Sequence, residues 1–390
     1  MPIVVVESPP GLKKCLCKKI ITSNIYALNT MLITLYNYRC FDQINLQLPS
    51  SNFIILDDNG SGKTSVLSAF YSLHTAQPLP MTKFGQYLKI GKEYFGIGTE
   101  DLAWFLSGKI SPSGRVTTKH SKPQIPAPTL LKTILTYQPT DNYWLSQSRS
   151  AKLSILDNII SQTSPDYDLL LKHLDKLTKA KLELIKKTNQ TGQNDMIMVE
   201  YFGRNIELVS NKIWAVRHKF LLHIQTNLPT FSHFIKTNIA NWQVVWQITD
   251  IYGKKQSYRD LYDNKIRVHT TQQSDSFGIL WQRELIAEKV LFGANRDDFE
   301  IVGNNLGGCL NIEQILSRGE MRLFVLWIKK LNTIPSDTIW LLDDIFNELD
   351  DCREQILLDS IFENTHQIIA TGTRCNTKNL LKVKVSDILL

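Results

Sequence analysis

The spacing of apolar residues changes character three times along the chain. From Met31, MLITLYNYRCFDQINLQLP alternates with period two at Leu32 and Thr34, and again at Ile44, Leu46 and Leu48. That spacing predicts two strands. A short apolar strand, Phe53 to Leu56, follows and runs into glycines. After them Val66, Leu67, Phe70 and Leu73 or Tyr71 fall at helical spacing, so TSVLSAFYSLH predicts a helix. Residues 75–125 are rich in Gly, Pro and Ser and predict short strands and loops, with Ser111 to Thr129 the most loop-like.

Residues 150–227 switch to the helical period. Leu170, Leu174, Leu177 and Leu184 mark one helix, and Val209, Ile213, Val216, Phe220 and Ile224 a second. A polar break, Thr188 to Asp195, lies between them, so the pair predicts an αα-hairpin. From about residue 285 strand patterns resume. Thr338 to Leu342 suits a strand covered on both faces, Leu349 to Asn364 a helix, and His366 to Thr373 another buried strand. A strand-rich core thus opens the chain, a helical block interrupts it, and the core returns. The expected division is 1–30, 31–140, 141–285 and 286–390.

Residues 1–30 fit none of these periods. They hold four lysines and one acid, and their apolar run IVVV precedes the lysines, the wrong order for a signal peptide. Met31 is the expected true start, or 1–30 a loosely held extension. Composition adds little: 43% hydrophobic and 21% charged residues are ordinary for a globular protein. The net charge of +7 is compatible with a phosphate-rich partner without identifying one. Six cysteines, none in a C-x-x-C pair, point to free thiols in a reducing compartment. No apolar run reaches membrane-span length.

Three short stretches carry chemistry. In LDDNGSGKTS the strand–glycine loop–helix order is the setting of a phosphate-binding loop. Asp57, Asp58, Asn59, Gly60, Ser61, Gly62, Lys63, Thr64 and Ser65 are the candidate ATP-binding residues. Lys63 would reach the phosphates, and the Thr64 hydroxyl would hold Mg²⁺. The loop departs from the pattern at its entry, where Asp57 stands in place of glycine. Asp tolerates the backbone geometry, but a carboxylate aimed at a triphosphate would repel it, so a working yet weakened site is expected. IWLLDD ends a buried strand in Asp343, a metal-supporting carboxylate, and Asp344, which could orient or deprotonate water. The same acids equally suit the N-terminus of a following helix. LSRGE contains Ser317, Arg318, Gly319 and Glu320 ahead of a helix. It is both a capping box and an anion-binding helix start, and it is similar to the signature of ATP-binding-cassette proteins, which presses on the γ-phosphate held by a partner subunit.

Taken in order, these stretches resemble the RecF family of SMC-type ATPases, from Met31 nearly to the end. NYRCF (37–41), DNGSGKTSVLSAF, LKIGKEYFGI (88–97), ILDNIISQTSPDYDLLLKHL, FGANRDDFEIV (292–302) and LLDDIFNELDDCR (341–353) each resemble a family block. In FGANRDDFEIV the family's His is replaced by Asn295. The resemblance implies an α/β ABC-type P-loop ATPase head, a mixed sheet with flanking helices, interrupted by a mostly helical arm bearing the αα-hairpin. It implies Arg39 near the nucleotide and Leu349 with Asp350 in a loop crossing a dimer face. Also implied are an ATP-dependent homodimer that binds DNA at single-strand/double-strand junctions, slow hydrolysis for release, loading of RecA at gaps and a RecR-type partner. The setting is the bacterial cytoplasm. The alternatives are a DNA- or protein-binding module with a vestigial ATP site, and another SMC-like ATPase. Lys83, Lys89, Lys92, Lys179, Lys181, Lys186 and Lys187 are candidates for DNA contact only, each more readily an ordinary solvated lysine. The short hairpin leaves no room for a long coiled coil.

Overall fold

The computed structural model describes residues 30–80, 82–99, 105–111, 116–121, 133–162, 164–235, 242–249, 255–257, 274–305, 308–331, 333–347 and 349–390. The expectation for the N-terminal extension therefore lies outside the described residues except at Thr30, which already belongs to a strand. The chain divides into two units. The first comprises residues up to 137, 338–347 and 365–390; the second comprises 138–337 and 348–364.

Among the described residues the first unit is two sheets packed on one α-helix. Strands β1 (Thr30–Tyr38), β2 (Phe41–Pro49), β4 (Tyr94–Thr99), β5 (Phe105–Ile110) and β6 (Val116–Ser121) form an antiparallel sheet in the order β2-β1-β4-β5-β6. Strands β3 (Phe53–Leu56), β7 (Thr133–Tyr137), β12 (Thr338–Leu342), β13 (Gln367–Gly372) and β14 (Leu381–Val383) form a parallel sheet in the order β14-β3-β13-β12-β7. Helix α1 (Lys63–Thr75) buries Val66, Leu67, Ala69, Phe70 and Leu73 in one core with Ile33, Leu35, Phe95 and Ile97 of the antiparallel sheet. Phe53, Ile55, Leu341 and Ile369 of the parallel sheet join the same core. Each fully buried Val, Leu or Phe there contributes roughly 1.5–3 kcal/mol.

The inner face of β1 is the one that carries Ile33 and Leu35. Ile33 and Leu35 are fully buried, while Leu32 and Thr34 are only half-buried. Apolar residues stand at both parities of this strand, so alternation alone left the face open; packing against α1 decides it.

The second unit is mostly helical. Helices α2 (Arg149–Ser161), α3 (Pro165–Thr191), α4 (Met196–Ile235), α5 (Ser274–Ala287), α6 (Arg318–Lys330) and α7 (Asp351–Ile356) accompany an antiparallel sheet. Its strands β8 (Gln243–Thr249), β9 (Lys255–Ser257), β10 (Asp298–Asn305) and β11 (Gly308–Asn311) run in the order β11-β10-β8-β9. Helices α3 and α4 are the hairpin. Helix α3 continues through Thr191 into the polar stretch read as a turn. It stops where Gly192 takes φ 71° and its N–H closes on the Thr188 carbonyl, a left-handed helix end. Packing also places α6 and α7 in this unit, so residues 286–337 group with the helices.

Two of the blocks that carried the family resemblance meet at one buried arginine of this unit. Arg217 of α4, 1% exposed, donates to both oxygens of Asp157 (2.9 and 2.8 Å) and to Asp297 (2.6 Å). Tyr167 donates to Asp157, and Trp214 Nε1 donates to Asp297 at 2.9 Å. ILDNIISQTSPDY and NRDD thus supply Asp157, Tyr167 and Asp297 to one network that ties α2, α3, α4 and the segment before β10.

Candidate nucleotide site

Parallel strand order creates the site. Because β3, β13 and β12 are parallel neighbours, their C-terminal ends lie side by side, the usual place for a ligand crevice in such sheets. The phosphate loop leaves β3, Asp343 and Asp344 leave β12, and Thr371 closes β13. Thr64 and Asp343, 279 residues apart, therefore meet: Thr64 Oγ1 donates to the Asp343 oxygens at 2.9 and 3.0 Å.

In the loop itself, Gly60 and Gly62 have φ of 88° and 100°, left-handed values that favour glycine. Gly62 is constrained twice, because a Cβ there would lie 2.5 Å from Phe41 Cζ. The NYRCF turn thus abuts the loop. Gly62 begins α1 without a side-chain cap, and no acid stands in the first turn. The Ser65 and Val66 N–H groups close on the Gly62 carbonyl, and those of Lys63 and Thr64 are left for an anion. Lys63, 7% exposed, spans the loop, with Nζ donating to the Asp57 and Asp58 carbonyls at 2.7 Å each. Ser61 Oγ is buried with no partner.

Asp343 accepts a third hydrogen bond, from Thr371 Oγ1 at 2.6 Å. Burial pushes its carboxyl above the usual carboxylate range, with Asp344 adding to the rise and Thr371, Thr64 and Lys63 opposing it. Asp344 has φ 49°, and its N–H donates to Thr371 Oγ1 at 3.1 Å. Its Oδ1 is buried and has no partner. Thr371 therefore joins the two aspartates, a role the sequence reading missed. The signal was a threonine ending a buried strand, legible only once β13 is known to lie between β3 and β12.

A hydroxyl beside one carboxylate is a hard-oxygen donor set of the kind Mg²⁺ takes together with substrate phosphates, rather than a dedicated protein cage. Among the described residues no group of three or more His, Cys, Asp or Glu gathers to hold a metal. The partnerless Ser61 Oγ and Asp344 Oδ1, with the uncapped helix start, fit a nucleotide triphosphate and its Mg²⁺.

Arg39 turns the β1–β2 hairpin with φ 48°. Its N–H donates to the Tyr87 carbonyl at 2.8 Å and its guanidinium lies 5.0 Å from the Tyr87 ring centroid. Its Nε is buried without a partner. The two residues after it carry the contacts to Gly62.

Asp57 does not take the left-handed geometry a glycine would permit. Its Oδ1 accepts from Asp58 N–H at 2.8 Å and its Oδ2 from Val385 N–H at 3.1 Å. These two bonds hold its carboxyl below the usual range. The expectation of a weakened site rested on a carboxylate aimed at the phosphates; the carboxylate is bonded to the backbone instead.

The remaining candidates lie together in the helical unit. Ser317 caps α6: its hydroxyl accepts from Glu320 N–H, and Glu320 returns the bond to Ser317 N–H at 2.8 Å. This is the capping box the spacing predicted. Ser317 and Arg318 are exposed. Asp350 caps α7 through Arg353 N–H, and the Arg353 guanidinium pairs with both Asp350 and Glu320. A Cβ on Gly319 would lie 3.1 Å from Arg353 Cδ, and Leu349 is buried beside it. Arg353 thus joins the signature segment to the Leu349–Asp350 segment.

Among the candidate DNA lysines, Lys181 is corrected. It is 1% exposed, paired with Glu284 at 2.6 Å, and lies 4.9 Å from the Phe292 ring centroid. Its place midway between Leu177 and Ile185 puts it on the buried stripe of α3. Lys179 and Lys186 are exposed but pair with Asp175 and Glu183, and Lys89 pairs with Asp42. Lys83, Lys92 and Lys187 are exposed. Lys181→Ala is expected to lower the unfolding free energy by about 3 kcal/mol, because it leaves Glu284 buried and unpaired. The salt dependence of DNA binding should not change. Denaturant melts and a salt titration check both halves.

No helix among the described residues is long and apolar enough to cross a membrane. No family model matches the chain. Curated proteins named DNA replication and repair protein RecF are similar to it. That of Geobacillus thermodenitrificans (strain NG80-2) is 24% identical over 353 residues, covering 87% of this chain and 91% of the relative. That of Geobacillus sp. (strain WCH70) is 25% identical over 357 residues, with the same coverage. Among solved structures, one described as the recombination mediator protein RecF with ATP, in the RecFOR pathway, has a TM-score of 0.67 at 19% identity. It covers 93% of this chain and 98% of that one. The companion with ATPrS has a TM-score of 0.65. The fold is the one these RecF structures have, and the resemblance to RecF holds over nearly the whole chain.

Proposed function

We propose that this RecF-like chain is an ATP-dependent DNA-binding protein of bacterial recombinational repair and replication, working in the cytoplasm. In this reading two copies close on ATP, hold DNA at a single-strand/double-strand junction, assist RecA loading at gaps with a RecR-type partner, and part after slow hydrolysis. The observation that supports it most is the buried, partnerless Asp344 Oδ1 beside the Thr64–Asp343–Thr371 cluster. A structural acid pair at a strand end would have its oxygens satisfied; one left open at the mouth of a phosphate loop suits a water to be oriented.

In this proposal Lys63 and the N–H groups at the start of α1 bind the phosphates. Thr64 and Asp343 hold Mg²⁺, and Asp344 Oδ1 takes the proton of the attacking water. MgATP, when bound, supplies the phosphoanhydride whose cleavage ends the closed state. Ser317, Arg318 and Gly319 of one copy would face the nucleotide of the other, with Leu349 and Asp350 at the same dimer face. Arg353 would keep these two segments in register. The alternative of a DNA- or protein-binding module with a weakened or vestigial site draws on Asp57, and the bonds of that carboxylate to Asp58 and Val385 favour the ATP-dependent reading.

The test is an ATP titration of the purified protein with Mg²⁺ and a gapped DNA, following mass in solution. A shift from monomer to dimer mass that depends on ATP, with DNA retained, is expected. A mass and a DNA affinity indifferent to ATP would overturn the reading in favour of the module.

A further inference from the structure

Asp57 occupies the one position where the phosphate loop departs from its pattern, and its two carboxylate oxygens have separate uses. Oδ1 accepts from the next residue of the loop, Asp58, at 2.8 Å. Oδ2 accepts from Val385, 328 residues away, at 3.1 Å. The same stretch of backbone is held from the other side, where Lys63 Nζ donates to the Asp57 and Asp58 carbonyls at 2.7 Å each. The Asp57 N–H reaches the Gly372 carbonyl at 3.4 Å. The loop entry is therefore gripped on both faces, and its grip on the C-terminal segment is a single side chain that glycine lacks.

The segment it reaches is itself built into the sheet. β14 pairs in parallel with β3, Val383 opposite Ile55, immediately before Lys384 and Val385. Val385 and Ile388 are buried in the core of this unit, and Leu390 N–H donates to the Asn45 carbonyl at 3.0 Å. Lys384 N–H donates to Asp387 at 2.8 Å, closing the helical turn that Val385 begins. This turn presents the Val385 N–H to Asp57 from a fixed frame.

We infer that Asp57 is a positioning residue of the nucleotide site, latching the phosphate loop to the C-terminal segment so that the loop is held in shape before ATP arrives. The inference rests on the ATP-binding reading above, and it reverses the simple expectation from the pattern. Restoring glycine at position 57 loosens the loop instead of repairing it. Ordering that the latch supplies in advance must otherwise come out of binding energy. The C-terminal segment becomes part of the nucleotide site although none of its side chains need touch the nucleotide.

The decisive experiment is a double-mutant cycle between Asp57→Ala and Val385→Pro, read as the Kd for ATP. Proline at 385 removes the N–H and replaces the buried isopropyl group with a ring of similar size, and it sits at the first position of a helical turn, where its ring is tolerated. Each single variant is expected to weaken ATP binding about tenfold, as for a lost hydrogen bond to a charged group. The double variant should be no weaker than the worse single, because both remove the same bond. Asp57→Gly should bind ATP more weakly than wild type. Melting temperatures are measured alongside. Independent losses that multiply in the double variant would overturn the latch, as would tighter ATP binding in Asp57→Gly. Wild-type protein that binds no ATP at all would overturn the underlying nucleotide reading together with the latch.

Discussion

Lys63→Ala is expected to abolish ATP-dependent dimerisation and DNA binding while leaving the fold intact. The lysine is 7% exposed, and its ammonium is held 2.7 Å from two loop carbonyls at the start of an uncapped helix. Its charge is therefore fixed where an anion would meet the helix N-terminus. A charge-assisted hydrogen bond contributes about 1.5–3 kcal/mol. Two such bonds to phosphate oxygens correspond to a loss of at least about 100-fold in ATP affinity. The cost to the fold is small by comparison. Asp58 is exposed and Asp57 half-buried, so water can replace the ammonium at their carbonyls. Isothermal titration with ATP, solution mass and a denaturant melt separate the two effects. A variant with normal stability and undiminished ATP-driven DNA binding would remove Lys63, and with it the phosphate-loop assignment, from the site.

What the sequence made legible here was local. The strand–loop–helix around Lys63, the buried strand ending at Asp343 and the capping box at Ser317 each lie within a dozen residues, and periodicity with turn chemistry suffices to find them. What it hid was decided by neighbours distant along the chain. Thr371 matters because β13 lies between β3 and β12, an order no local pattern records. The carboxylate of Asp57 was read by its charge, whereas its direction is set by a backbone N–H 328 residues away. The face of β1 was ambiguous because Leu32, Ile33 and Leu35 offer apolar side chains at both parities, and only α1 selects between them.

Lys181 and Arg217 illustrate a different blindness. Both stand at helical spacing within apolar stripes, Lys181 between Leu177 and Ile185, and Arg217 between Trp214 and Leu221. The period was visible, but a charge counts as surface until its partner is known. Glu284, Asp157 and Asp297 are those partners, and all come from other elements. The ILDNIISQTSPDY and NRDD blocks contribute Asp157, Tyr167 and Asp297 to the network around Arg217.

That makes Arg217→Ala the substitution with the largest expected cost in stability, about 4–5 kcal/mol. The guanidinium satisfies Asp157 and Asp297 at once and also donates to the Ala294 carbonyl and the Tyr167 hydroxyl. Its removal leaves two carboxylates inside the unit, one of them fully buried. The pH dependence distinguishes this from a simple cavity. Burial already pushes the Asp297 carboxyl up to about 7, against the pull of Arg217 and Trp214. Without the guanidinium the folded-state value rises further, while the unfolded value stays near an ordinary carboxylate. A group whose folded pKa lies above its unfolded one favours the native state as pH falls between the two. The deficit of the variant relative to wild type should therefore shrink between pH 8 and pH 5.5. Cavity formation alone would leave it flat. Urea melts of both proteins across that range measure it. If the deficit stays flat across that range, the network is held by packing rather than by its charges, and a neutral replacement of similar size, Arg217→Met, would then restore most of the loss at every pH.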